Sequence, residues 1–343
     1  MPPGVPDLIT VGGLTVDNVV AADGTLGLGQ AGGNGAYGAV GALHWVKRVG
    51  LVSQAVSSYP TTVLDRLVAG GVDLRGVAFV PTELRAGTWF FYEPNGDRDE
   101  SLQSAPEDLA AAGFPTDRLT PAERARWHTL LSGRQQPDDI GYAAFRVQNP
   151  LSPAQVPADF WQAQGMLLAP SGPAVMQAML DRTPAGMTTV ADPGWQLAAH
   201  HLDDLTPILS RLDAFLPSEV ELRRFVPGAE LSDALAVLAK RCPGAVAVKL
   251  GPRGVLVWDR AQGVATLVPA DSVQAIDPTG AGDSFCGGFL AGLVQTSDPL
   301  RAARFGALSA GRVVRHFGAD GALPVDRSRM RALIPNSSKV TPE

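Results

Sequence analysis

Near the C-terminal end of the chain, Asp277-Pro278-Thr279-Gly280-Ala281-Gly282-Asp283 sets two carboxylates around two glycines, directly before an apolar segment of helical character. Glycine lets the backbone turn tightly, so the consecutive N–H groups of Gly280, Ala281 and Gly282 can converge on one anion. Phe285, Phe289, Leu290 and Leu293 follow at helical spacing, which puts those N–H groups at a helix N-terminus whose dipole also favours negative charge. Asp283 falls in the first turn of that helix. A carboxylate there would repel a phosphate that merely binds, but it suits a base facing an attacking hydroxyl, and the chemistry is that of phosphoryl transfer. A Gly-X-Gly-Asp turn can also be a plain helix cap, since Asp is a favoured N-cap residue. The full seven residues are more specific than that.

The run Asp277 to Phe285, read as DPTGAGDSF, resembles the C-terminal signature of the ribokinase-like (pfkB-type) family of sugar and nucleoside kinases. The resemblance implies that Asp283 is the catalytic base and that the Gly280, Ala281 and Gly282 backbone holds the transferring phosphate. A second stretch, Gly29-Gln30-Ala31-Gly32-Gly33-Asn34-Gly35-Ala36, resembles the family's N-terminal GGNxA signature. There the paired glycines Gly32 and Gly33 let the backbone approach a polyhydroxylated substrate, and the Asn34 amide offers it a donor and an acceptor. Asp17, just after the first apolar run, matches the family's early Asp that binds substrate hydroxyls.

The nucleotide side is implied by the same resemblance. Pro217-Ser218-Glu219-Val220-Glu221 resembles the NxxE element, with Ser218 standing for the usual Asn and Glu221 holding Mg²⁺ through water. An exposed first helical turn stabilised by the dipole would read the same way. Lys249-Leu250-Gly251-Pro252-Arg253-Gly254 resembles the strand-turn that lines the nucleotide, with Gly251 and Gly254 allowing the close turn. Lys249 meets a phosphate there, or pairs with an acid at the strand end. Thr279 joins this cofactor set. At Ala307, where many relatives carry Asn or His, base contact must be apolar or come from Ser309. Asp277 and the backbone of 313–318 correspond to a monovalent cation site in some members, so K⁺ is an open addition to ATP and Mg²⁺.

Two competing phosphate motifs fail. Gly27, Gly29 and Gly32 have GxGxxG spacing, but Ala21 to Thr25 is a turn rather than a strand, and no acid occurs between Asp23 and Asp65. Nothing matches GxxxxGK[ST]. His200-His201 lacks the spacing of a metal site. Tyr59, Trp89 and Phe91 are candidates to stack on a substrate, or core. After Trp45 to Ser53 the chain reads Gln54-Ala55-Val56-Ser57-Ser58-Tyr59-Pro60 where relatives carry a GxD-type pattern, and the segment 100–160 is long. The acceptor pocket is therefore expected to differ from a standard ribose pocket.

The elements that must position these residues are legible in outline. Asp7 to Gly13, Trp45 to Ser53, Gly87 to Tyr92, Met166 to Ala169, Thr188 to Ala191, Ala214 to Leu216 and Ala245 to Leu250 read as strands. Thr61 to Ala69, Ala174 to Leu180, Leu231 to Ala239 and a final Leu300 to Phe317 read as helices, and Val255 to Trp258 with Val264 to Val268 as a hairpin. Strands alternating with helices predict an α/β fold with a mostly parallel sheet covered on both faces. The resemblance, over about 7–325, implies a three-layer αβα sandwich, one domain over 1–343, with a small β lid from segments roughly 14–30 and 80–100. Lid sheets of this kind often pair between chains, so a homodimer through the lid is one expectation.

The chain has 343 residues, a net charge of −6 and 45% hydrophobic residues, ample for a large core. The acidic balance without a dense Lys/Arg run argues against nucleic acid as partner. No apolar run would span a bilayer and the opening Met1-Pro2-Pro3-Gly4 lacks signal-peptide regions, so a cytoplasmic location is expected. Cys242 and Cys286 are too few for a disulfide framework. Together these readings predict an ATP-dependent carbohydrate kinase acting on a sugar or sugar-like hydroxyl, with a nucleoside kinase, or a catalytically weak sugar sensor on the same fold, as alternatives.

Overall fold

A computed structural model describes residues 4–82, 88–92, 120–122, 125 and 142–334. Its central sheet has nine strands in the order β12-β11-β10-β9-β8-β7-β1-β4-β5. These are β1 (Leu8–Val11), β4 (Val49–Val56), β5 (Val72–Val80), β7 (Gly165–Leu168), β8 (Thr188–Ala191), β9 (Ala214–Phe215), β10 (Ala245–Lys249), β11 (Val255–Asp259) and β12 (Val264–Val268). All neighbours from β10 to β5 pair in parallel, and β11 and β12 add an antiparallel hairpin at one edge. The chain leaves β1 towards β4 and β5, then returns to build β7, β8, β9 and β10 on the other side. The order therefore reverses next to β1, and ligands of such sheets bind in the crevice beyond the strand C-termini at that point.

Alternation along each strand explains the two covering layers, because successive side chains point to opposite faces. Leu8, Leu51, Leu167, Val190 and Ala247 pack against the helices Asn34–Leu43, Ala281–Thr296 and Pro299–Val313. Ile9, Val52, Met166, Ala191 and Val248 pack against the helices Pro173–Arg182 and Leu231–Arg241 on the opposite face. A separate three-stranded sheet, β3-β2-β6, comes from β2 (Thr15–Val20), β3 (Leu26–Gly32) and β6 (Thr88–Phe91). It supplies the small second sheet, and its anchor is Asp320, whose buried carboxylate accepts from the Ala31 N–H at 2.8 Å and from Arg66 Nε at 2.6 Å.

Two boundaries differ from the sequence reading. The strand expected from Trp45 begins at Val49, because Trp45 closes the preceding helix and its Nε1 donates to Ser309 Oγ at 2.8 Å. The last long helix stops at Val313 rather than Phe317, since the chain must turn there for Val314 O to accept the Ile276 and Asp277 N–H groups at 2.7 and 3.1 Å. The glycine-dense stretch is lid strand β3 followed by a helix, so the GxGxxG spacing lies within an antiparallel strand. β5 was not foreseen. Much of the segment 100–160, and lid residues 83–87 and 93–100, lie outside the described residues.

The helices Asn34–Leu43 and Ala281–Thr296, each of which carries one signature, touch backbone to backbone. A Cβ on Gly287 would lie 1.9 Å from Gly38 O, and one on Gly41 would lie 2.1 Å from Ser284 O. Neither neighbour can rotate away. We expect Gly287→Ala to force the helices apart, lower stability by at least about 2 kcal/mol in urea unfolding, and reduce turnover in parallel.

Candidate active site

The C-terminal signature forms its turn as the composition requires. Gly280 is the N-cap residue, in the left-handed region at φ 70°, and no side chain caps this helix. A Cβ at Gly280 would lie 2.1 Å from the Tyr37 ring, so glycine is demanded by both conformation and space. Asp283 is therefore not the cap. It sits inside the first turn, partly exposed to the crevice. The Ala281 N–H is directed to Pro278 O at 3.3 Å.

Lys249, at the end of β10, stands beside this turn, its Nζ 3.5 Å from where a Gly282 Cβ would be. It pairs with Asp192 at 2.5 Å, and Cys286 Sγ lies 3.3 Å from the same Asp192 oxygen. Burial opposes the charge on Lys249, but Asp192 and, less strongly, Cys286 and Glu221 outweigh it and hold the ammonium above its ordinary pKa. Of the two roles open to Lys249 in the sequence, pairing with an acid is the one seen. Burial, then Asp192, pushes the Asp283 carboxyl up, with Lys249 pulling it back.

On the acceptor side, Asp17 is buried in β2, and burial raises its carboxyl to about 7 against the lowering effect of the Thr15 hydroxyl, which donates to it at 2.8 Å. Gly32 across the lid ladder makes room for it, as a Cβ there would fall 1.9 Å from the Asp17 carboxyl carbon. Gly33, at φ 92°, starts the helix against Gly13 O, 2.5 Å from its virtual Cβ. The Asn34 amide bridges two strand ends, accepting from the Gly13 N–H at 2.6 Å and donating to Pro170 O at 2.9 Å. One amide hydrogen and one lone pair remain for a substrate. The Asp277 and Asp283 charges both act on Asp17, so the two signatures share one crevice.

The nucleotide set divides. Ser218 and Glu221 form a reciprocal capping box, in which Glu221 Oε2 accepts from the Ser218 N–H at 2.6 Å and Ser218 Oγ from the Glu221 N–H at 3.3 Å. Their turn bridges to Lys249, which keeps Glu221 close to the site's charges. Gly251 and Gly254 both take positive φ around the turn after β10, as expected. Thr279 instead directs its hydroxyl to Tyr92 at 2.8 Å and its N–H to Asp277 Oδ1 at 2.9 Å. Ser309 is a correction: it is fully buried, accepting from Trp45 and donating to Gly41 O at 2.9 Å, so it locks helices together and faces no nucleotide. Asp277, expected at a cation site, has its oxygens accepting from the N–H groups of Thr279 and of Gly318, the latter at 3.3 Å. Tyr59 and Phe91 are core residues, and His200 and His201 are exposed.

Among the described residues, no group of three His, Cys, Asp or Glu forms a metal cage. Mg²⁺ commonly relies on one or two carboxylates, water and substrate phosphates, and the hard oxygen donors of Asp192 and Glu221 beside the Gly280 turn fit that mode. Asp192 was missed in the sequence, although it directly follows β8 and a carboxylate at a parallel strand's C-terminal end was a readable signal. Tyr37 was missed as well; its buried hydroxyl lacks a hydrogen-bond partner below the turn.

A carboxyl raised by burial makes the native state bind more protons than the unfolded chain between about pH 4 and pH 7, so stability falls as pH rises through that window. Asp17→Asn should therefore melt higher than wild type at pH 8, by on the order of 2–4 kcal/mol, and lose that advantage towards pH 4 in calorimetry. A difference independent of pH would contradict it. Lys249→Met leaves Asp192 buried and unpaired, and should cost about 3–5 kcal/mol in chemical unfolding.

A family model described as pfkB family carbohydrate kinase matches residues 141–326, more than half of the chain. A cytidine kinase of Thermococcus kodakarensis is 24% identical over 314 residues, which cover 91% of this chain and 97% of that protein. Among solved structures, an Arabidopsis thaliana ribokinase complexed with ribose and ATP superposes with a TM-score of 0.65 at 19% identity, covering 97% of this chain and all of that one. A Burkholderia thailandensis nucleoside kinase in complex with inosine does so at 0.66 and 17%, covering 95% and 96%. These structures share the sandwich, its mostly parallel sheet and the small separate sheet. The chain belongs to the pfkB family of carbohydrate kinases.

Proposed function

We propose that this protein transfers the γ-phosphate of ATP to a hydroxyl, of the primary-alcohol type, on a sugar or sugar-like molecule. The observation that carries this reading is the placement of Asp283 within the first turn of an uncapped helix, beside Gly280 and Lys249 and within electrostatic reach of Asp17. Asp17, Gly32, Gly33 and Asn34 hold the acceptor, and Asp283 orients its hydroxyl and takes the proton as the new bond forms. Proton removal can come late in a loose transition state, so a raised pKa is not required of this base. The Gly280 and Gly282 N–H groups, with the helix dipole behind them and Lys249 alongside, stabilise charge on the transferring group. Ser218, Glu221, Gly251 and Gly254 border the nucleotide. Glu221 and Asp192 would hold Mg²⁺, which would supply neutralisation of the phosphate charge. Closure of the small sheet over the acceptor would exclude water, which otherwise competes for the phosphoryl group.

A nucleoside acceptor is the second reading, favoured by the cytidine kinase similar over nearly the whole chain. Heat stabilisation of the Asp283→Asn protein by a free sugar or by a nucleoside separates the two. The kinase reading itself is tested by ADP release with Mg·ATP across pentoses, hexoses, sugar acids, inositols and nucleosides. Acceptor-dependent turnover should fall by about 10²–10⁴-fold in Asp283→Asn. ATP and acceptor binding without turnover on any acceptor would favour a sensor instead.

A further inference from the structure

Resting on that kinase reading, we propose that the acceptor is an anionic sugar, carrying a carboxylate or phosphate at the end remote from the reacting hydroxyl, and that Arg146 binds this group.

A cavity of about 190 Å³ opens where β1, β4 and β7 end, lined by Gly13, Gln54, Arg146, Asn149, Ser171 and Gln196 among others. This is the crevice where the strand order reverses. One wall, Gly12 to Thr15, is the segment held by Asn34 and leading to Asp17, so the cavity continues the acceptor side of the site. Arg146 comes from the helix Tyr142–Gln148 and is only partly exposed. Its Nη2 donates to Pro170 O at 2.9 Å, and no carboxylate among the described residues pairs with it. A guanidinium has five N–H donors in a planar fork, and most of them here are without a protein acceptor. Burial depresses its pKa, and the Asp283 charge acts in the opposite direction, which sets the guanidinium within electrostatic reach of the base.

Two further groups point to a missing ligand. Gln54 Oε1 and Gln196 Oε1 are both buried without a hydrogen-bond partner, and both residues line this cavity. Buried polar atoms left unpaired cost free energy, and two of them around one cavity beside a half-buried cation describe a site whose partners arrive with the substrate. A neutral sugar could satisfy the amides but would leave the guanidinium desolvated and unpaired when the site closes. A carboxylate or phosphate supplies two oxygens in the geometry of the fork.

The test compares each acid with a neutral molecule of the same skeleton. D-gluconate, D-ribonate and D-galactonate form the carboxylate arm, and ribose 1-phosphate and glucose 1-phosphate the phosphate arm, so that each keeps a free primary hydroxyl at the end remote from its charge. Glucitol, ribitol, galactose, ribose and glucose are their counterparts, and cytidine and inosine complete the set. With wild-type protein, Mg·ATP and ADP release, at least one acid or phosphate should exceed its neutral counterpart at least about 30-fold in kcat/KM. Arg146→Gln should collapse that ratio to near unity through KM, and Arg146→Lys should retain part of it because the charge stays but the fork is lost. If turnover occurs with neutral sugars or nucleosides and no anionic partner is preferred, this inference falls while the kinase reading stands. If nothing turns over, heat stabilisation of the wild type by an anionic panel member but not by its counterpart upholds the anion site alone, and no stabilisation overturns it. The wild-type comparison needs no variant, so misfolding of Arg146→Gln would not obscure the result.

Discussion

The site depends on two helices touching without side chains between them. Gly41 on one helix and Gly287 on the other let the Ser284 and Gly38 carbonyl oxygens approach to distances that any Cβ would prevent. Ser284 Oγ adds a bond to Tyr37 O at 3.1 Å, and Ser309 with Trp45 locks a third helix onto the pair. Each of the first two helices begins with a signature turn. Their close packing therefore brings residues near Asn34 and residues near Asp283 into one crevice although they lie far apart in the chain. Glycines are poor helix formers, so much of the stability of these helices must come from packing rather than propensity.

The crevice is electrostatically unfavourable without ligands. Burial raises the Asp17, Asp277 and Asp283 carboxyls, with the Asp277 and Asp283 charges adding to the effect on Asp17, and Asp192 and Glu221 to the effect on Asp283. Lys249 offsets part of this by pairing with Asp192. A protein built only for stability would not bury so many carboxylates, and sites that handle charged substrates are where such strain accumulates.

Several polar residues of the signatures serve the fold as well as the proposed chemistry. Asn34 ties β1 to the segment after β7, Ser218 and Glu221 cap a helix, Thr279 meets Tyr92, and Asp277 holds the C-terminal turn at Gly318. These contacts fix the backbone around the Gly280 turn, and in the proposed reaction donors held in this way would need no reorganisation.

The strands from Met166 onward, the hairpin and the anion turn were legible in the sequence, because each is written in local terms: apolar runs, alternation, and glycines where a turn needs them. Local periodicity cannot state which distant side chain will occupy a cavity. Ser309 is an ordinary serine on an amphipathic helix until Trp45 and Gly41 O are packed against it, and Asp192 is an ordinary strand-end acid until Lys249 arrives from two strands away. Arg146 lies in a stretch whose composition was hard to read, and only the meeting of three strand ends puts it beside Gln54 and Gln196. The sequence by itself determined the layers of the fold and the glycine turn at the head of the helix Ala281–Thr296, since both follow from backbone freedom and hydrophobic period. The tertiary structure alone decided which charges share the crevice, because burial and Coulomb interactions depend on distances that only packing fixes.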